Sequence, residues 1–128
     1  QANDLLVDIS AASIGGGGNK QLQGITIENV GLSTLTIDKI TVDWTNGQLI
    51  EQIKIDNTRV WKHNNEGTPD GRQPTGTVIN VDDFTFIAGS GVLNVNKIKF
   101  NGDMTGDTFD VTFNMSDAST ATIVGLSP

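Results

Sequence analysis

Two stretches of this chain follow one template, and the repeat limits the fold more than any other feature. The run from Leu35 to Val42 has the same apolar pattern as the run from Leu93 to Phe100. Each run follows a short strand-like segment and a Gly/Ser turn. An internal repeat of this kind is typical of β supersecondary units that stack on one another.

Within each copy the apolar positions change phase. Leu35 and Ile37 occupy one phase of a period-two pattern, and Ile40 occupies the other, so the change falls at Asp38-Lys39. The second copy changes phase at Asn96-Lys97. Because a shift of one residue exchanges the two faces of a strand, the extra residue requires a β-bulge or a sharp bend. We predict that each copy is a bulged strand or two short strands meeting at a sandwich corner.

The rest of the chain also favours strands. Residues 109–115 alternate strictly between apolar and polar side chains, which predicts a half-buried antiparallel strand. Asn46-Gly47 is a strong signal for a two-residue hairpin, and His63 to Thr75 is the longest predicted loop. We therefore predict an all-β protein. It should form a single Ig-like antiparallel β-sandwich over residues 1–128, with about eight to ten short strands.

The amino-acid composition indicates the cellular compartment of the protein and the classes of partner that it can bind. The 128 residues carry a formal net charge of −7 and contain no cysteine, which fits an exported protein without disulfides. The eight Lys and Arg residues are scattered along the sequence, so no basic surface for nucleic acid or anionic lipid is predicted. The chain starts at Gln1 without Met, and two interpretations of residues 1–8 stay open: the remnant of a removed N-terminal helix or leader, or a first strand.

Catalytic motifs are missing from the sequence. His63 is the only histidine, and no cysteine can join it in a zinc site. No Gly-x-Ser-x-Gly elbow accompanies it, so a serine hydrolase is not predicted. We expect a protein that is not an enzyme.

Acidic pairs are the remaining candidates for a metal site. Asp82 with Asp83, and Asp103 with Asp107, lack the spacing of a twelve-residue calcium loop. Solvated surface loops are the favoured interpretation, and no cofactor is expected. The alternative is a weak calcium site to which these four aspartates contribute.

Trp44 and Trp61 are the only tryptophans, and both are predicted to pack in the structure. Trp44 continues the apolar face of the first template copy. Trp61 lies between Val60 and Lys62 and is the better candidate for an exposed residue. If the chain is a sugar-binding module, Trp61 would be its ligand-binding residue.

The run from Gly24 to Gly31, followed by Leu35 to Val42, resembles the globular domains of archaeal-type pilins, archaellins and archaellum stator proteins. The similarity covers about residues 24–44, with an echo at 84–100. It implies an Ig-like sandwich at the cell surface with no catalytic residues.

The resemblance also implies a role and partners. The chain would be a non-catalytic, extracellular structural or adhesive domain, the soluble part of a pilin-like filament or cell-surface subunit. Its partners would be protein subunits, with no nucleic acid, and it would reach a membrane only through a missing N-terminal segment. The isolated domain should be monomeric. The alternative is a carbohydrate-binding β-sandwich module of a secreted protein.

Overall fold

The computed structural model describes all 128 residues and contains eleven β-strands with two single turns of 3-10 helix. The 3-10 turns span Ala2–Asp4 and Gly17–Asn19. The strands are β1 (Leu5–Asp8), β2 (Ser13–Gly15), β3 (Gln21–Gln23), β4 (Ile25–Asn29), β5 (Leu35–Asp43), β6 (Ile50–Ile55), β7 (Thr58–Lys62), β8 (Val78–Phe86), β9 (Val92–Phe100), β10 (Phe109–Met115) and β11 (Thr120–Leu126). No helix has the length and apolar composition needed to cross a membrane.

The strands form two antiparallel sheets arranged as a sandwich. Sheet A has seven strands: β9 pairs with β4 and β3 on one side and with β6 on the other, while β1, β2 and β7 lie at its edges. Sheet B has four strands in the order β11-β10-β5-β8. The predicted all-β sandwich is confirmed, but the structure has eleven strands rather than eight to ten. The excess includes strands of three residues that the alternation could not show.

The two template copies are the long inner strands of the two sheets. The first copy lies in β5 of sheet B and the second in β9 of sheet A. Each is one nine-residue strand with a bulge at the predicted place. The pairing shifts register around Asp38 in β5 and around Asn96 in β9. The shifts let Ile37 and Ile40 both point into the core, although they are three residues apart.

Between the sheets lies one core of 27 buried hydrophobic residues. Phe109, Val111, Phe113 and Met115 of β10 are all buried, as the period-two pattern predicted. The Phe100 ring packs edge-on against Trp44, with ring centroids 4.8 Å apart.

The predicted hairpin at Asn46-Gly47 is wrong. β5 belongs to sheet B and β6 to sheet A, so residues 44–49 cross between the sheets. Neither Asn46 nor Gly47 has the positive φ that a type I′ turn requires. The tight two-residue turn lies instead between β6 and β7, where Asp56 and Asn57 have φ values of 49° and 60°.

Gly24 separates β3 from β4 and fits only a residue without a side chain. Its φ is +83°, and a Cβ there would collide with the Ala11 carbonyl oxygen. The glycine lets β3 and β4 follow one another along the same side of β9.

Candidate functional site

Trp61 is fully buried, so its predicted packing is confirmed, and the alternative in which it is exposed to bind a sugar is wrong. Its exposed fraction is 0%, and its indole N–H donates to the Pro69 carbonyl oxygen at 3.2 Å. A register shift in β7 explains this placement: Trp61 pairs with Ile53 and Arg59 with Lys54, leaving Val60 as an extra residue. Val60 and Trp61 therefore both face the core, and Trp61 cannot stack on a sugar in this structure.

Asp82 and Asp83 lie in strand β8 rather than in a loop. Both are exposed, and they belong to a stretch of three residues that faces the single residue Asp38 of β5. β8 is an edge strand of sheet B. The sequence interpretation of these two aspartates as loop residues is wrong.

Asp107 is a buried carboxylate that joins two segments in which the chain passes from one sheet to the other: residues 44–49 and the segment between β9 and β10. Its Oδ1 accepts hydrogen bonds from the backbone N–H groups of Thr45 at 3.0 Å and Thr108 at 2.8 Å, and from the Thr45 hydroxyl. Its Oδ2 accepts one from the backbone N–H of Asn46 at 3.1 Å. Burial alone would raise the pKa of this carboxyl, but the hydrogen bonds outweigh burial and hold it below its ordinary value.

Asp103 has a different environment from Asp107. It is exposed, and its Oδ1 accepts hydrogen bonds from the backbone N–H and the hydroxyl of Thr105 at 2.8 and 2.6 Å. These bonds lower the pKa of the Asp103 carboxyl.

No group of three or more His, Cys, Asp or Glu side chains in the structure is placed to hold a metal ion. Both Asp107 oxygens already accept hydrogen bonds, so a cation there would have to displace them.

Five cations converge on the outer surface of β6, β7 and β9, which we call the basic face. Its members are Lys54, Arg59, Lys62, Lys97 and Lys99. Lys54 lies directly opposite Arg59 on β7 and opposite Lys97 on β9. In the adjoining row Gln52 lies between Lys62 and Lys99. The sequence inference that positive charge is scattered is therefore wrong for the folded chain.

Few acidic groups neutralise this basic face. Glu66 accepts from Arg59 at 2.8 Å, and Glu51 lies 3.5 Å from the Lys99 ammonium while also accepting from Arg72 at 2.6 Å. Lys54, Lys62 and Lys97 form no salt bridge. Burial, and then the nearby charges of the other four members of the face, lower the pKa of the Lys97 ammonium.

The row of Arg59, Lys54 and Lys97 places cations directly opposite one another. Like charges placed directly opposite on neighbouring strands destabilise a sheet, by roughly 0.2–1 kcal/mol a pair. Lys54 has a cation on both sides, and of these two Lys97 has no acidic partner while Arg59 is paired with Glu66. Packing does not require these residues to be cationic, because the core-facing positions are taken by Ile53, Ile55 and Ile98.

Sheet B carries the opposite charge, and four of its aspartates form what we call the acidic face: Asp43, Asp82 and Asp83 are exposed, and Asp110 is half-buried. Asp43 and Asp110 lie directly opposite each other on β5 and β10. They line a depression of about 130 Å³ together with Thr45 and Thr108. Asp82 and Asp83 on β8 complete the face, and none of its four aspartates forms a salt bridge.

His63 lies beside the basic face in the loop after β7. It is half-buried, and its Nδ1 lies 3.3 Å from the Glu51 carbonyl oxygen. The loop position is as predicted, whereas the full exposure is not.

No sequence motif predicts either charged face. The lysines and arginine of the basic face come from positions 54 to 99, and only strand pairing brings them together. A search against protein-family models, curated proteins and solved structures found no match to this chain.

Proposed function

We propose that this chain is a non-catalytic structural or adhesive domain of an extracellular assembly, the soluble part of a pilin-like filament or cell-surface subunit. The observation that supports this proposal best is the basic face. It is broad, it lies on the outside of a sheet, and its central lysines lack acidic partners. Such a surface suits contact with another macromolecule better than capture of a small molecule.

The cavities of the structure agree with a contact role. The two cavities have volumes of about 130 and 300 Å³, at or below the lower end of the range for small-molecule sites. Burial of Trp61 removes the aromatic residue on which the sugar-module alternative depended. We therefore favour protein subunits over a small-molecule ligand as the partner; the basic face removes the sequence-based reason for excluding nucleic acid and anionic lipid.

Location in the cell tests the proposal. An antibody against residues 1–128 should detect the full-length protein in sheared filaments or on intact cells. Recovery of the full-length protein only from the cytosol would refute the extracellular role.

Charge variants in the full-length protein test the contact role. Replacing Lys54 and Lys97 by glutamine should reduce incorporation into the surface fraction. Lys20→Gln is the matched control, because Lys20 lies between the second 3-10 turn and β3, outside the basic face. Equal incorporation of the double variant and the control would show that the face makes no contact.

A further inference from the structure

The two charged faces lie on opposite sides of one sandwich, since each occupies the outer surface of its own sheet. We propose that the occupant of the basic face is the acidic face of a second copy of this chain, packed sheet against sheet. This inference rests on the proposed function, because it names the partner in a subunit assembly.

Charge complementarity carries the inference. Lys54 and Lys97 form a directly opposed pair of cations in sheet A, and Asp43 and Asp110 form a directly opposed pair of anions in sheet B. Neighbouring strands lie about 4.7–4.9 Å apart in every sheet, so the two pairs have closely similar spacing. Contact between copies would give each cation an anion and relieve both repulsive pairs at once.

The shape of the acidic face supports the same pairing. The depression between Asp43 and Asp110 opens beside two threonines, and its volume of about 130 Å³ is small. A lysine ammonium is a compact donor of three hydrogen bonds on a flexible stem. The basic face presents three lysines without acidic partners, Lys54, Lys62 and Lys97. One of them can enter the depression and donate to both carboxylates.

The geometry also sets the form of the assembly. The two faces point in opposite directions, so a pair of copies cannot satisfy both faces within one two-fold dimer. The contact is head-to-tail, and a contact of that kind continues into an open chain unless its rotation closes a ring. Such a repeat agrees with a role in a filament.

The contact should be weak in the isolated domain. Each copy carries a formal net charge of −7, which opposes association as a whole. Salt screens the attraction between the two faces, because the screening length falls from roughly 30 Å at 0.01 M salt to about 8 Å at 0.15 M. Dilute protein should therefore be monomeric, and association should emerge at about 1 mM protein in low salt.

Two neutralised variants test the pairing. Lys54→Gln with Lys97→Gln removes the cations of one face, and Asp43→Asn with Asp110→Asn removes the anions of the other. Each variant alone should stay monomeric at about 1 mM protein and 0.01 M salt, judged by sedimentation equilibrium. An equimolar mixture of the two keeps one intact face of each sign. It should form a 1:1 dimer and nothing larger, whereas the wild type should form longer chains.

The controls separate loss of contact from loss of fold. Both variants must show the wild-type circular dichroism spectrum, and Lys20→Gln should associate as the wild type does. If the aspartate variant unfolds, the single variant Asp43→Asn replaces it, with at least a several-fold loss of association expected.

Three results would overturn the inference. The first is a wild type that remains monomeric at about 1 mM protein in low salt. The second is association that persists in either double variant. The third is binding of polygalacturonate by the basic face without self-association, which would assign an anionic glycan as the occupant. Recovery of the full-length protein from the cytosol would refute the proposed function but leave a positive mixing result intact.

Discussion

Asp107→Asn should destabilise this protein more than the same Asp→Asn substitution at any other aspartate. The carboxylate is 6% exposed and accepts four hydrogen bonds, three from backbone N–H groups and one from a hydroxyl. These bonds join the crossing between the sheets at Thr45 to the start of β10. Asparagine has the same shape but only one acceptor oxygen.

The magnitude follows from the placement of the donors. Whichever way the amide is turned, its NH₂ group faces at least one backbone N–H, either that of Asn46 or those of Thr45 and Thr108. A buried donor left without an acceptor costs about 1–3 kcal/mol, and the other bonds lose their charge assistance. We expect Asp107→Asn to lower the free energy of unfolding by about 2–4 kcal/mol at pH 7.

Urea denaturation followed by tryptophan fluorescence measures this loss, and pH separates its cause. The pKa of Asp107 is lowered in the folded state, so its contribution is fully present above the unfolded value of about 3.9. This contribution to the free energy of unfolding is lost as the pH falls through the lowered pKa that Asp107 has in the folded state. The difference between wild type and variant should therefore shrink toward low pH.

Asp103→Asn is the matched control. Asp103 is exposed and accepts only from Thr105, so its replacement should change the free energy of unfolding by less than about 1 kcal/mol. Equal losses for the two variants at pH 7 would refute the role assigned to the Asp107 hydrogen bonds. So would a loss for Asp107→Asn that does not change with pH.

Three further predictions concern the core, the basic face and one turn. Phe113→Ala should cost about 3–5 kcal/mol in urea denaturation and Thr112→Ala far less, because only the phenylalanine is fully buried. Lys97→Gln should raise the free energy of unfolding by about 0.2–1 kcal/mol in low salt, a gain that added salt should reduce. Gly24→Ala should lower the melting temperature, whereas Gly47→Ala should not, since a Cβ at residue 47 meets no atom within 4 Å.

The alternation of apolar and polar residues predicted the strands well, because the side chain at each position reflects whether that position is buried. The buried positions of β10 follow from their period of two, and the bulges at Asp38 and Asn96 follow from a break in that period. Both signals are contained within one strand. The repeat was also informative, since its two copies are the long inner strands β5 and β9.

Errors arose where the outcome depended on a distant strand. Asn46-Gly47 favours a tight hairpin, but β5 pairs with β8 and β10, and the chain after it crosses to sheet A. The turn residues could not reveal that choice of partner. The packing of Trp61 was predicted, but its cause, an extra residue of β7 opposite β6, was not. Val60, Trp61 and Lys62 give no sign of that bulge in sequence.

The basic face also depends on the pairing of distant strands, which the sequence does not show, and here the missing information affects the functional interpretation. Lys54 and Lys97 are 43 positions apart in the sequence, yet they are direct neighbours across two strands. A chain that is acidic overall can therefore carry a local surface of the opposite sign, and net charge does not describe either sheet. Because packing tolerates neutral side chains at these outward positions, the repulsion between the cations is not a by-product of the core. A partner of negative charge would remove that repulsion, and the acidic face of a second copy is the partner that we propose.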